Sequence, residues 1–141
     1  MSGYLLDTTV MSELRKGRRC DDTLRTWFDA AVSDELFLSV LVTGEIRRGI
    51  EQIRRRDPDA AGHLDAWLSK LRDHYADRIL PITEGIAELW GQSGLEQPLP
   101  PIDGLLAATA QWHGLVVVTR IVSDFVDAGV DVLNPFAVSK G

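Results

Sequence analysis

Four acidic residues are placed along the chain so that each one follows an apolar run. Asp7 follows GYLL, Glu45 follows LFLSVLVTG, Asp103 follows PPI, and Asp124 comes shortly after LVVVT. In an open parallel sheet the carboxyl ends of the strands meet in one crevice, so residues remote in sequence can share one site. Oxygen ligands of this kind bind hard divalent cations. The spacing therefore suggests a carboxylate cluster that holds a cation.

A cation would explain why a fold brings several carboxylates together. Grouped carboxylates repel one another and raise one another's pKa, and a bound cation offsets that cost. Mg²⁺ or Mn²⁺ suits a site made of oxygen ligands, whereas one cysteine and three separated histidines provide no zinc motif. Such a metal activates water and stabilises the leaving oxygen of a phosphodiester. Taken singly, each acid could equally be a helix cap or a first-turn acid.

Segments typical of strands and helices alternate along the chain, which predicts a parallel sheet with helices on both faces. The apolar patterns predict strands at residues 4–6, 36–40, 79–82, 115–118 and 130–133. They predict helices at 10–16, 21–33, from 42 to an interruption at DPDAAGH, from 64 onward, after Thr83, and at 102–112. Pro81 suggests that its strand lies at an edge of the sheet, and Gly114 is expected to end the last helix.

Composition narrows the class of protein. A chain of 141 residues is expected to form one domain, and no apolar run approaches the length of a membrane helix. The start MSGYLLD does not resemble a signal peptide, and a single cysteine fits a reducing cytosol. The net charge of −6 argues against a generally basic nucleic-acid-binding domain. The basic residues are bunched, however, so they can meet phosphates locally or can simply form solvated helix faces.

Other chemistries find little support in the motifs. The chain has no glycine-rich phosphate loop, no HExxH and no GxSxG. A receiver domain would need adjacent acids after its first strand, and a haloacid-dehalogenase-type phosphatase would need an acid at position 9. Asp7 is instead followed by Thr8 and Thr9, which argues against both classes.

Five segments together resemble the PIN-domain ribonucleases. They are LLDTTVMSEL, LSVLVTGEIRRGI, RILPIT, PPIDGLLAATAQWHGLVVVTR and SDF…GVDVLNPF, and their order and spacing are most like the VapC- and FitB-like toxins of bacterial toxin–antitoxin pairs. The resemblance spans residues 1–141 and implies a single α/β/α sandwich with a five-stranded parallel sheet. It also implies Mg²⁺- or Mn²⁺-dependent endonucleolytic cleavage of RNA in the cytoplasm. A small VapB-like antitoxin and a homodimer are the expected partners, with DNA reached only through the antitoxin.

The resemblance assigns roles to individual residues. It implies a catalytic set of Asp7, Glu45, Asp103 and Asp124 with the hydroxyl of Thr119, and metal ligation by Asp7, Asp103 and Asp124. The residues expected to contact RNA are Arg15, Lys16, Arg47, Arg48 and Arg120. Two positions depart from the family pattern: Thr9 replaces an Asn, and Ile121, which can neither donate nor accept a hydrogen bond, replaces a polar residue. Ile121 keeps a second hypothesis open, a catalytically impaired module that mainly binds antitoxin or RNA.

Overall fold

A single parallel sheet organises the chain. The computed structural model describes residues 2–137. The strands are β1 (Tyr4–Leu6), β2 (Leu36–Ser39), β3 (Ile79–Leu80), β4 (Val116–Val118) and β5 (Val132–Leu133). They are all parallel and lie in the order β3-β2-β1-β4-β5. This order confirms the five-stranded parallel sheet, and the strand that precedes Pro81 lies at an edge as predicted.

The helices connect the strands and cover both faces of the sheet. They are α1 (Thr8–Leu14), α2 (Asp22–Ala30), α3 (Val40–Arg54), α4 (Pro58–His74), α5 (Glu84–Gln92) and α6 (Pro101–His113). Connections between parallel strands are right-handed. The chain moves outward from β1 to β3 and then crosses back to β4, so α1–α4 cover one face and α5–α6 the other. The contacts of α3 with α4 and of α5 with α6 agree with this arrangement.

The reversal of strand order falls between β1 and β4. Leu6 pairs with Val118, and the next residue, Asp7, donates its backbone N–H to the Val118 carbonyl at 3.0 Å. Both strands are apolar on both faces because helices cover them on either side. A crevice opens at such a reversal beyond the carboxyl ends of the strands. Residues that follow β1 and β4 therefore face the place where an open sheet binds its ligand.

The helix start near residue 58 differs from the prediction. The segment DPDAAGH was expected to interrupt the helix until residue 64, but α4 begins at Pro58. Asp57 caps it by accepting a hydrogen bond from the Ala60 N–H at 3.1 Å. A proline in the first turn lacks only an N–H that has no partner there in any case, so it starts a helix as readily as it stops one.

Arg78 ties the end of α4 to the sheet from a buried position. Its guanidinium donates to the carbonyls of Ser33, Leu36 (2.8 Å) and His74 (3.0 Å). It also stacks 4.8 Å from the centre of the Tyr75 ring. These bonds satisfy carbonyls at the chain's entry to β2, which fixes the edge strand β3 against β2. Among residues 2–137 no helix is long and apolar enough to span a membrane.

Helices α5 and α6 pack through two glycines and two tryptophans. A Cβ added at Gly85 of α5 would lie 2.5 Å from the Trp112 ring of α6. A Cβ added at Gly104 of α6 would lie 2.8 Å from Nε1 of Trp90 of α5. Each indole therefore lies on the bare backbone of the other helix. Because Gly104 follows Asp103, this packing also sets the position of that carboxylate.

We expect Gly104→Ala to destabilise the protein. The added methyl overpacks the Trp90 contact at a cost of about 1–3 kcal/mol, and the gain in helix propensity of about 0.5–1 kcal/mol offsets only part of it. Gly62→Ala is the matched control, because Gly62 lies in α4 with nothing within 4 Å of its added Cβ and should gain only the propensity. Chemical denaturation compares the two variants. Equal gains in stability would contradict the role of the Trp90–Gly104 contact.

Candidate active site

Asp7 lies at the junction between β1 and α1. It is the N-cap of α1, and its Oδ1 accepts hydrogen bonds from the Val10 N–H at 3.2 Å and from the Thr9 hydroxyl at 2.6 Å. Its carboxyl is buried, with 7% of the residue exposed. The helix-cap role that the sequence allowed is therefore real. It does not exclude a second role, because the cap uses one carboxylate oxygen and leaves Oδ2 for other partners.

The pKa of Asp7 is raised above its ordinary value. Burial is the largest cause, because it removes water from the charged carboxylate. Hydrogen bonds from the Thr119 and Thr9 side chains and from the backbone of Val10 and Thr9 lower the pKa and offset only part of this effect. A nearby positive charge would favour the ionised form, so the carboxylate is well suited to a cation.

Glu45 reaches the same crevice from α3. Its Oε1 accepts a hydrogen bond from the hydroxyl of Thr8, the first residue of α1, at 2.5 Å. Ser39 starts α3 by capping Leu41 at the carboxyl end of β2, which directs the second turn of the helix toward α1. Thr8 therefore fixes the glutamate beside Asp7, although the two acids are 38 residues apart in sequence.

Asp103 reaches the crevice from α6, on the opposite face of the sheet from α1 and α3. It lies in the first turn of α6, where the helix dipole favours a negative charge. The pKa of its carboxyl is nevertheless raised, first by burial and then by the negative charges of Asp124, Glu45 and Asp7. The other three acids predicted from the sequence are therefore close enough to Asp103 for their charges to act on its carboxyl.

Asp124 enters the site from the loop after β4. It lies in a short 3-10 turn, Val122–Asp124, and its effect on Asp103 is larger than that of the other two acids. Ile121, the departure from the family pattern, is 45% exposed and points its side chain to solvent. Its backbone N–H donates to the buried Thr119 hydroxyl at 3.0 Å, which shapes the turn that brings Asp124 inward.

Thr9 and Glu13 have roles that the sequence did not reveal. The Thr9 hydroxyl donates to Asp7 and accepts the Arg120 backbone N–H at 3.2 Å, so it joins α1 to the loop after β4. The largely buried Glu13 accepts from Lys16 Nζ and from the Asp21 N–H, each at 2.9 Å. Lys16 is the main reason that the pKa of Glu13 is lowered. An acid three residues before a lysine, within the helix predicted at 10–16, was the available signal for this pair.

The basic residues predicted to contact RNA differ in their surroundings. Lys16 pairs with Glu13, and Arg120 lies 4.0 Å from the same carboxylate while stacking over Phe136 at 4.2 Å. Arg47 bonds to Asp65 at 2.6 Å and to Glu51 at 3.1 Å. Arg15 and Arg48 make no ion pair within residues 2–137. Arg47 therefore holds α3 against α4, whereas Arg48 presents its charge to solvent.

The carboxylates are grouped but remain open. Within residues 2–137 no three His, Cys, Asp or Glu side chains are arranged to hold one metal ion directly. Mg²⁺ does not require a protein cage of that kind, because it keeps several waters and commonly takes only one or two carboxylates together with substrate phosphates. The donor set is made entirely of oxygens, and burial followed by the charges of the other acids raises the pKa of Asp103. The residues therefore fit a hydrated Mg²⁺ or Mn²⁺ better than a fully ligated metal.

Comparison with known proteins places this geometry in a family. The profile of the PIN domain family matches residues 4–120. The chain is 32% identical to the VapC ribonuclease Y4jK of Sinorhizobium fredii (strain NBRC 101917 / NGR234), over 94% of this chain and 96% of that protein. It is 30% identical to the toxin FitB of Neisseria gonorrhoeae (strain ATCC 700825 / FA 1090), over 94% of this chain and 97% of FitB.

Solved structures agree with the sequence comparison. The structure of FitAB bound to an IR36 DNA fragment superposes with a TM-score of 0.87 at 27% identity, and the match covers 96% of this chain and 97% of that one. The crystal structure of FitAcB from Neisseria gonorrhoeae gives the same TM-score at 29% identity. The strand order, the acids at the carboxyl ends of the strands and these matches lead to one conclusion: the chain belongs to the PIN domain family and is related to the VapC and FitB toxins.

Proposed function

We propose that this protein is the toxin of a toxin–antitoxin pair and that it hydrolyses phosphodiester bonds in RNA as a metal-dependent endonuclease. The observation that carries the proposal is the convergence of four acids, from β1, α3, α6 and the loop after β4, at the reversal of strand order. Membership of a family that includes a VapC ribonuclease supports the nuclease role.

Asp7, Asp103 and Asp124 would hold a hydrated Mg²⁺ or Mn²⁺, which one or two of these carboxylates would bind directly and the rest through its waters. When bound, the cation would lower the pKa of an attacking water and stabilise negative charge on the leaving oxygen. Other residues of the chain hold these acids in position. Asp7 is held by the helix cap and by Thr9, and the buried Thr119 hydroxyl lines the crevice beside it. Glu45, which accepts a hydrogen bond from Thr8, would orient the attacking water or accept its proton.

The partners follow from the same family. The similar structures include toxin–antitoxin complexes, and FitAB is among those bound to DNA, so we propose a VapB-like antitoxin as partner and contact with DNA only through that antitoxin. We also propose that the protein acts on RNA in the cytoplasm.

We expect a homodimer in solution. Trp90, Ile102 and Trp112 leave an exposed apolar surface on α5 and α6, which a second copy would cover. Light scattering after size-exclusion chromatography should give twice the chain mass of 15.6 kDa. A monomer at tens of micromolar would contradict this expectation.

Replacing the buried carboxylate should stabilise the metal-free protein. Asn caps a helix as well as Asp does, so Asp7→Asn keeps the cap of α1 and removes a charge whose ionisation burial opposes. Because the pKa is raised in the folded state, the advantage of Asn is fully present above the folded pKa and is lost as pH falls toward 3.8, the pKa of an ordinary aspartate. We expect a melting temperature a few degrees higher in EDTA at pH 7, at roughly 2–4 °C per kcal/mol.

Added Mg²⁺ should reverse the order of the two melting temperatures, so that wild-type protein melts above Asp7→Asn. Wild-type protein gains stability in millimolar Mg²⁺ because the cation binds the native state, and Asp7→Asn gains less. Asp21→Asn is the control, since Asp21 caps α2 in the same way at 3.0 Å from Leu24 N. If both variants respond alike to EDTA and Mg²⁺, the carboxylate of Asp7 is only a cap.

Cleavage assays separate the enzyme from a catalytically impaired binding module. With structured RNA and Mg²⁺, we expect cuts that EDTA abolishes and that Asp103→Asn or Asp124→Asn slows at least about 100-fold. Asp127→Asn, an exposed acid three residues further along the same loop, should leave the rate unchanged. Absence of cleavage by wild-type protein with either Mg²⁺ or Mn²⁺ would favour the impaired module, and cleavage that persists in EDTA would contradict the metal.

A further inference from the structure

One stripe of α3 leads away from the acids and carries unpaired positive charge. Residues three, seven and ten positions after Glu45 lie on the same side of an α-helix. They are Arg48, Gln52 and Arg55, the last of which ends α3 in helical conformation. All three side chains are exposed and line one surface groove over the last turns of the helix. We call these three residues the α3 stripe.

The neighbouring charges of α3 are already neutralised. Arg54 bonds to Glu51 at 2.9 and 3.0 Å and to both oxygens of Asp65 at 2.8 Å, and Arg47 bonds to the same two acids. Two arginines and two carboxylates therefore cancel on the side of α3 that packs on α4. Arg48 and Arg55 make no ion pair and no side-chain hydrogen bond within residues 2–137. The groove thus has a net positive side directed to solvent, on a chain whose total charge is −6.

The surface beside the stripe is bare. Gly44 and Gly49 lie within α3, and a Cβ added at either would meet nothing within 4 Å. Each glycine costs a helix about 0.5–1 kcal/mol relative to alanine, and no packing among the described residues requires its small size. The two glycines leave the helix backbone open on both sides of Glu45 and Arg48. Such a surface permits close approach by an extended chain.

We propose that the sugar–phosphate backbone of the RNA substrate runs along the α3 stripe, with one phosphate at Arg48 and another at Arg55, on its way to the scissile bond beside Glu45. This inference rests on the proposed endonuclease function. The two arginines are seven residues apart, or about 10 Å along the helix axis, so they meet separate phosphates of one strand. Arginine pairs with phosphate in a bidentate manner without reading the base, so the stripe provides affinity and position and leaves sequence selection to other surfaces.

Binding and cleavage assays with the full chain test the stripe. The probe is a fluorescein-labelled single-stranded RNA of mixed sequence, and anisotropy in EDTA over a range of KCl concentrations measures binding without cleavage. We expect Arg48→Gln/Arg55→Gln to raise Kd roughly tenfold and to reduce the slope of log K against log salt by about 1.4, since each contact with a single strand contributes about 0.7. In Mg²⁺ the same variant should raise KM and leave kcat within about twofold.

Two control variants separate the effect of where the positive charge lies from the effect of the total charge of the protein. Lys70→Gln/Arg72→Gln removes the same charge from exposed positions of α4 and should leave Kd and the salt slope unchanged. Arg48→Lys/Arg55→Lys keeps the charge and should recover most of the salt slope. Melting temperatures verify that all variants fold, which is expected for exposed side chains.

The outcomes are distinct. A double Gln variant that matches the α4 control in Kd and salt slope overturns the stripe. So does a variant that keeps its RNA affinity and loses affinity for polyglutamate, because the arginines would then serve an acidic protein partner. Wild-type protein that binds the RNA through the stripe but cuts it with neither Mg²⁺ nor Mn²⁺ overturns the endonuclease and leaves the stripe standing.

Discussion

A carboxylate buried at the end of the central strand is the constraint on which the site depends. The backbone N–H of Asp7 extends the pairing of β1 with β4, its carbonyl starts the hydrogen bonding of α1, and its side chain caps that helix. Asp7 thus takes part in the pairing of β1 with β4, in the start of α1 and in the candidate active site. The raised pKa shows that the fold tolerates the charge at a cost in stability. The hydroxyls of Thr9 and Thr119 reduce this cost without removing it, which leaves a position suited to a cation.

The sequence was informative wherever one signal acts locally. The apolar run that ends at Asp7 located the end of β1, because a strand buried on both faces is apolar and the first polar residue after it marks its end. The parallel order followed from the alternation of elements. The start of α4 was missed because a proline both ends and begins helices, and only the cap by Asp57 distinguishes the two cases. Val40 was assigned to the strand for a similar reason, since a β-branched residue after Ser39 is compatible with either element.

The surroundings of the other site residues depend on how the helices and loops are oriented relative to one another. Arg47 and Arg48 are neighbours in sequence, yet the turn of the helix directs one toward Asp65 and the other to solvent. No pattern within α3 alone reveals this, because the partner lies on α4. Thr9 likewise appeared as a departure from the family pattern, and only the approach of the loop after β4 gives its hydroxyl a second hydrogen bond. Asp124 is also placed by three-dimensional context, through the turn that Thr119 and Ile121 form.

The central position of β1 also determines when the site can exist during synthesis. This strand is made before the other four, but one of its two neighbours, β4, is made more than a hundred residues later. Asp7 needs the Val118 carbonyl and the Thr119 hydroxyl for its final environment, and Asp124 follows both. Contacts so distant in sequence form late. A growing chain therefore carries its acids apart, and they come together only after β4 and the turn that holds Asp124 have been made.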